Sequence, residues 1–129
     1  MWNDFGDYIL GEAGTDNVRI AEIGVGKFDM IANMLSEREN ITLIKTDILP
    51  KDSTVIKDDI TNPNIDLYRN TDIIYSIRPP SELQPYLVNL ALEVDSQLII
   101  KPLTNEDLNT GSVKMKLKNF RKASFYTLR

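Results

Sequence analysis

Apolar residues along the chain switch repeatedly between a helical and a strand period. Trp2, Phe5, Tyr8, Ile9 and Leu10 recur at helical spacing and end at Gly11-Glu12-Ala13-Gly14, a helix stop and turn. Residues 18–23 then read as a first strand. Beyond Gly24 and Gly26, the side chains of Phe28, Ile31, Ala32 and Leu35 fall on one face of a helix that Asn40 can stop. The β-branched run over residues 41–46, closed by Asp47, predicts a second strand, and residues 54–57 a short third. Asn62 and Pro63 suit the cap and first residue of a short helix through Tyr68. A fourth strand is expected over residues 72–77. Ser81 and Gln84 have capping-box spacing ahead of the longest helix, whose buried stripe is Leu83, Leu87, Leu90, Ala91 and Val94, with Pro85 in its first turn. Residues 97–101 predict a fifth strand stopped by Pro102. A short helix is expected over residues 106–109, and two final strands around 119–122.

Strands alternating with helices specify an α/β fold, a mostly parallel sheet with helices on both faces and thus three layers. One joint resists this. Between Asp47 and Thr54 there is no room for a crossover helix, and parallel strands normally need a dozen or more connecting residues. An extended connection at roughly 3.3 Å per residue can still span one strand. With 129 residues the chain is expected to form one domain, residues 1–129, without a separate substrate domain.

Composition narrows the chemistry. There is no cysteine and no histidine, which removes disulfides, Cys/His zinc sites, thiol nucleophiles and imidazole acid–base catalysis. No metal site is expected. No signal-peptide pattern or apolar run of about 20 residues occurs, so a soluble cytoplasmic protein is expected. The net charge of -4 is unevenly placed: residues 108–129 hold 6 of the 15 basic residues and no acid. Such a segment suits an anionic partner. The strict alternation of Val113-Lys114-Met115-Lys116-Leu117-Lys118 offers a simpler account, with three lysines on the solvent face of an edge strand whose other face is buried.

The stretch Glu22-Ile23-Gly24-Val25-Gly26 carries the chemistry. After a strand, Gly24 permits a tight turn and Gly26 lets a ligand approach the backbone. A phosphate-cradling P-loop is excluded at two positions, since Ala21 stands for its first glycine and Phe28 for its Ser/Thr. A dinucleotide fingerprint requires glycine at position 29, where Asp29 would repel pyrophosphate. A nucleoside meets neither objection. Asp47, about twenty residues on, can accept from both ribose hydroxyls, and Asp59 with Ile60 can accept from an adenine amine and cover the ring. Glu22 is placed to meet a ligand ammonium.

In that order and on those elements, Glu22 to Gly26, Asp47 and Asp59-Ile60 resemble the first three motifs of the class I S-adenosylmethionine-dependent methyltransferases. Phe28 replaces that superfamily's frequent third glycine. Within it, the short chain and Ile74-Tyr75-Ser76-Ile77-Arg78-Pro79-Pro80 most resemble a small archaeal group of methyltransferase-like Rossmann domains, uncharacterised protein family 0146. The resemblance implies a Rossmann-like sheet of order 3-2-1-4-5 with a C-terminal antiparallel hairpin. It also implies S-adenosylmethionine as cofactor, with Glu22, Gly24, Gly26, Asp47, Asp59 and Ile60 as its binding residues.

The loop after the fourth strand is where amine-modifying methyltransferases often carry Asn/Asp-Pro-Pro-Tyr/Phe. Arg78-Pro79-Pro80-Ser81 departs from this, and a cation cannot accept from an amine. Arg78 suits instead an anionic group of a substrate, or a salt bridge to Asp29 or Glu82. Tyr75, Ser76 and Arg78 are the candidate catalytic residues. Two functions follow: a methyltransferase for an anionic or nucleic-acid substrate such as RNA, or a non-catalytic nucleotide- or RNA-binding module. Self-association into a homo-oligomer stays open, and no membrane partner is expected.

Overall fold

The computed structural model describes residues 1–103 and 108–129, so the short helix expected over residues 106–109 falls largely outside them. The elements are α1 (Trp2–Ala13), β1 (Val18–Ile23), α2 (Met30–Ser36), β2 (Ile41–Asp47), β3 (Ile56–Lys57), β4 (Ile73–Ile77), α3 (Gln84–Val94), β5 (Gln97–Lys101), β6 (Lys116–Phe120) and β7 (Ala123–Leu128). They build one seven-stranded sheet of order β3-β2-β1-β4-β5-β7-β6. β1 to β5 run parallel, and β7 and β6 are antiparallel at the far edge. The expected order and hairpin are therefore both present. No helix among the described residues is long and apolar enough to cross a membrane.

The central strands β1, β4 and β5 are buried over most of their length because both of their faces are covered. Alternation sorts their side chains. Ile20, Ile73, Tyr75 and Ile99 lie under α1 and α2 with Phe5, Ile9, Ile31, Leu35 and Phe125. Ala21, Ile23, Ile74, Leu98 and Ile100 face Leu87, Leu90 and Ala91 of α3. Edge-to-face rings tie the two ends of the chain together, with Phe5 5.3 Å from Phe125 and 6.4 Å from Tyr75.

Local chemistry shifts several expected details. The third strand shrinks to two residues because Asp52 captures the amide and hydroxyl of Thr54 in a turn. It is parallel nonetheless, pairing Thr46 with Ile56 and Asp47 with Lys57 across an extended connection. The cap expected at Asn62 sits at Asn64, whose side chain accepts from the Asp66 amide ahead of a 3-10 turn at Ile65–Leu67. The Ser81/Gln84 capping box does not form. A 3-10 turn at Ser81–Leu83 precedes α3, and Gln84 donates to the Pro79 carbonyl and accepts from the Asn109 amide instead.

The C-terminal lysines also differ from expectation. β6 starts at Lys116, and Lys116 and Lys118 pair across from Thr127 and Phe125, so they share the α1 face of the sheet. Val113 and Met115 pack on the α3-side core, but Leu117 is 53% exposed because α3 packs over β5 and stops short of the edge.

One buried tyrosine locks the irregular β2–β3 region. The Tyr68 hydroxyl, fully buried, bonds Thr46 Oγ1 at 3.0 Å and donates to Asp58 Oδ2 at 2.9 Å. Tyr68→Phe removes the one phenolic proton that Asp58 accepts and leaves the Thr46 hydroxyl without its partner, and should lower stability by about 1–3 kcal/mol. Urea unfolding of the two proteins measures this, and coincident midpoints would show that the bridge contributes nothing.

Candidate functional site

The carboxyl ends of β1, β2, β3 and β4 open on a cleft of about 360 Å³, within the range of roughly 300–1,000 Å³ usual for small-molecule sites. It lies where the strand order reverses between β1 and β4, the place at which open α/β sheets take ligands. Ile23, Gly24, Thr46, Asp47 and Ile48 form one wall, Asp58, Asp59 and Ile60 a second, and Ser76 to Pro80 with Leu83 and Leu87 a third.

The glycine loop is held by β2. Gly24 and Gly26 both have left-handed backbones, φ 74° and 55°, which cost other residues about 1–2 kcal/mol. The Gly24 amide donates to the Thr46 carbonyl at 2.9 Å, and the Gly26 amide donates to Asp47 Oδ2 at 2.8 Å. The other oxygen of Asp47 accepts from the Leu49 amide. Asp47 thus fixes the loop as well as facing the cleft, and is not the dispensable strand-end acid that its position implies. α2 begins only at Met30 and has seven residues, so the loop does not run directly into a helix.

The acids divide by environment. Asp59 accepts from the amide and hydroxyl of Thr61, which holds its carboxyl below the usual range and keeps it ionised. Asp58 is taken up by Tyr68 and the Asn64 amide. Glu22 points away from the cleft. With the parity of Ile20, it lies on the α1 face, 1% exposed, and its Oε1 accepts from the Tyr75 hydroxyl at 2.5 Å. Its Oε2 is buried without a partner. Burial pushes the Glu22 carboxyl up to about 7, opposed first by the Tyr75 hydrogen bond. Burial and the Glu22 charge together raise Tyr75 well above its usual value.

Of the three candidate catalytic residues, Ser76 and Arg78 line the cleft and Tyr75 does not. The Tyr75 ring is fully buried among the α1-side core, out of reach of a ligand in the cleft, and its hydroxyl is committed to Glu22. Ser76 Oγ donates to the Ile23 carbonyl at 2.8 Å, tying β4 to the start of the glycine loop. Arg78 forms no ion pair with Asp29 or Glu82, so the salt-bridge reading of it is set aside. Asp29 pairs with Lys51 at 3.2 Å. The guanidinium of Arg78 lies 5.6 Å from the Trp2 ring centroid and 5.5 Å from that of Phe28, a pair of cation–π contacts. Its backbone has φ 54°, and its amide donates to the Lys101 carbonyl.

Sequence reasoning missed the apolar lining from Ile48, Leu83 and Leu87, and the aromatic seat of Arg78. Leu83 and Leu87 were visible as one helix stripe, but nothing local joins Trp2 to Arg78. The finished cleft is electrically bipolar. Asp47, Asp58 and Asp59 stand at its β2–β3 end and Arg78 at its β4 end, with an apolar slot between. Carboxylates at the first end can accept from hydroxyls and amines and disfavour a phosphate there.

Solved structures with this architecture define its class. The chain aligns with an S-adenosyl-L-methionine methyl transferase from Silicibacter pomeroyi over 98% of its own length and 89% of that chain, with TM-score 0.64 and 9% identity. It aligns with the magnesium protoporphyrin IX methyltransferase from Synechocystis, solved with bound SAM, over 97% and 74%, with TM-score 0.56 and 12% identity. The fold is the Rossmann-like fold of class I S-adenosylmethionine-dependent methyltransferases. Residues 2–129 match the uncharacterised protein family UPF0146, and the chain belongs to that family. A UPF0146 protein of Methanothermobacter thermautotrophicus is 41% identical, covering 98% of this chain and 93% of the relative. One from Methanocaldococcus jannaschii is 46% identical, covering 84% and 81%.

The buried acid has a measurable signature. A carboxyl whose folded pKa lies above its unfolded value binds an extra proton on folding, so stability falls as pH rises between about 4.5 and 7 and levels off above. Glu22→Gln removes this slope. The stability of wild type relative to the variant should drop by up to about 3 kcal/mol between pH 4.5 and pH 8. Unfolding in urea at several pH values checks this, and parallel profiles would show that Glu22 titrates normally.

Proposed function

We propose that this protein binds S-adenosylmethionine or its demethylated product in the cleft and transfers the methyl group to an anionic or nucleic-acid acceptor at the β4 end. The observation that carries the reading is the placement of Asp47 and Asp59 at the ends of β2 and β3, flanking an apolar slot beside a left-handed glycine loop. Asp47 would accept from the ribose hydroxyls, Asp59 from the adenine amine, and Ile60, Ile48 and Leu87 would cover the ring.

The ligand, when bound, supplies a methyl group already activated on a sulfonium. The protein's share is then positioning: Ser76 holds β4 against the glycine loop, and Arg78 orients an acceptor across the cleft. Proximity and alignment alone can supply much of such a rate. The other reading, a non-catalytic nucleotide- or RNA-binding module, differs only in the absence of transfer. Turnover of methyl-labelled S-adenosylmethionine with candidate acceptors separates the two.

S-adenosylmethionine or S-adenosylhomocysteine should raise the melting temperature more than NAD or ATP, because the acidic end of the cleft opposes a polyphosphate. At a hundred times the dissociation constant the stabilisation should be about 2.7 kcal/mol. A shift with NAD and none with either sulfur ligand would overturn the proposal.

Asp47→Ala should weaken nucleoside binding by about 1.5–3 kcal/mol in a calorimetric titration. Since Asp47 also anchors Gly26, Asp47→Asn is the matched control. It keeps an acceptor for the amide while losing the charge, and should fall between wild type and alanine. Equal affinity in all three would confine Asp47 to holding the loop.

A further inference from the structure

The cation at the end of the cleft has a neighbour on the next strand. Lys101 ends β5 directly beside it: the Arg78 amide donates to the Lys101 carbonyl, and Lys101 pairs across from Ile77. By strand parity Lys101 shares the α1 face with Ile99, the same side on which Arg78 rests against Trp2 and Phe28. Neither cation has a carboxylate partner among the described residues. Lys101 Nζ reaches only the Pro102 carbonyl, at 3.4 Å. Burial first, and then the charge of Arg78, lower the pKa of Lys101, so each cation lies within the other's field.

Two cations held together with no carboxylate beside them among the described residues oppose folding unless something else requires them. Here the strain accumulates on one residue. Arg78 adopts a left-handed backbone that arginine disfavours, followed by two prolines that restrict the chain. Its side chain is seated on two aromatic rings. Contact with the rings confines the guanidinium without using its N–H donors, which can then take a carboxylate or phosphate through two hydrogen bonds.

The geometry points to a second ligand site at the carboxyl ends of β4 and β5, in which Arg78 and Lys101 hold the phosphate or carboxylate group of a small molecule. That this molecule is the methyl acceptor rests on the proposed function; the anion site itself does not. A small anion is favoured over a polynucleotide by the surroundings. Residues 1–103 carry 17 acids against 9 basic residues, and Asp47, Asp58 and Asp59 line the same cleft. A phosphate chain extending from the cation pair would run into this acidic surface, whereas one anionic group need not. The basic strand β6 lies at the far edge of the sheet, beyond β7.

The test titrates inorganic phosphate, acetate and a short single-stranded RNA separately into the protein, with and without S-adenosylhomocysteine. It follows the Arg78 side-chain Nε–H resonance and the backbone amides around it. Phosphate or acetate should shift these resonances saturably, and which of them acts more strongly assigns the group. Arg78→Ala and Lys101→Gln should each weaken that response about tenfold or more, with Arg78→Lys intermediate. Several outcomes overturn the inference. Wild type and Arg78→Ala could respond alike to both anions. RNA could bind through Arg78 far more tightly than either anion, which makes the ligand a nucleic acid. S-adenosylhomocysteine could displace phosphate, which places the nucleoside's own carboxylate on the pair. An anion response without any nucleoside binding would sustain the site and remove the cofactor reading instead.

Discussion

Two hydrogen bonds from β2 to the glycine loop set the geometry on which the rest of the cleft depends. The Thr46 carbonyl receives the Gly24 amide and Asp47 receives the Gly26 amide, so the loop leaves β1 already turned toward its neighbour strand. Both glycines hold a left-handed backbone in making these bonds, a conformation that would strain any other residue at either position. The same β2 end is tied to Tyr68 through Thr46 Oγ1, and Tyr68 is tied to Asp58. A continuous polar chain therefore joins the wall that carries Asp59 and Ile60 to the loop facing it. Rigidity of this kind lowers the ordering cost of taking up a ligand.

Charge is distributed along the cleft by the same economy of position. Acids gather at the ends of β2 and β3, where turn amides and hydroxyls donate to them, and cations at the ends of β4 and β5. Beneath the loop, the Glu22–Tyr75 pair is sealed from solvent and behaves oppositely, as a carboxyl that burial pushes toward the neutral form. Two carboxylates a few residues from one loop, Asp47 and Glu22, thus have different environments because one lies at a strand end and the other inside a strand.

How much of this is legible in the sequence depends on the range of the interactions. Strands β1, β4 and β5 and helix α3 announce themselves because burial on both faces demands apolar runs and a stripe at helical spacing. The short β3 is harder, since Asp52 and Thr54 form a turn with β-branched residues that read as strand. Competition for side-chain amides explains the missing capping box, where Gln84 serves Pro79 and Asn109. Among the site residues, alternation within strands already carries the placement of Glu22 and Tyr75: they share parity with Ile20 and Ile73, hence the α1 face. The seat of Arg78 has no local trace at all. Trp2 lies 76 positions away, and only the closed sheet brings them together.

The order of strands gives this seat a history within folding. α1 packs across β7, with Phe5 and Tyr8 against Phe125 and Arg121 bonded to Asp7 at 2.8 Å, so contacts separated by more than a hundred residues hold the helix that carries Trp2. Such contacts form late, because closing so long a loop costs entropy before any packing offsets it. A chain still emerging from the ribosome can pair β1, β2 and β4, shape the glycine loop and rest α1 against α2, but α1 lacks its β7 contacts until the last strand is made. The acidic half of the cleft is drawn from residues 47–60, whereas the helix that supports the cationic half gains its last contacts only from the final strand.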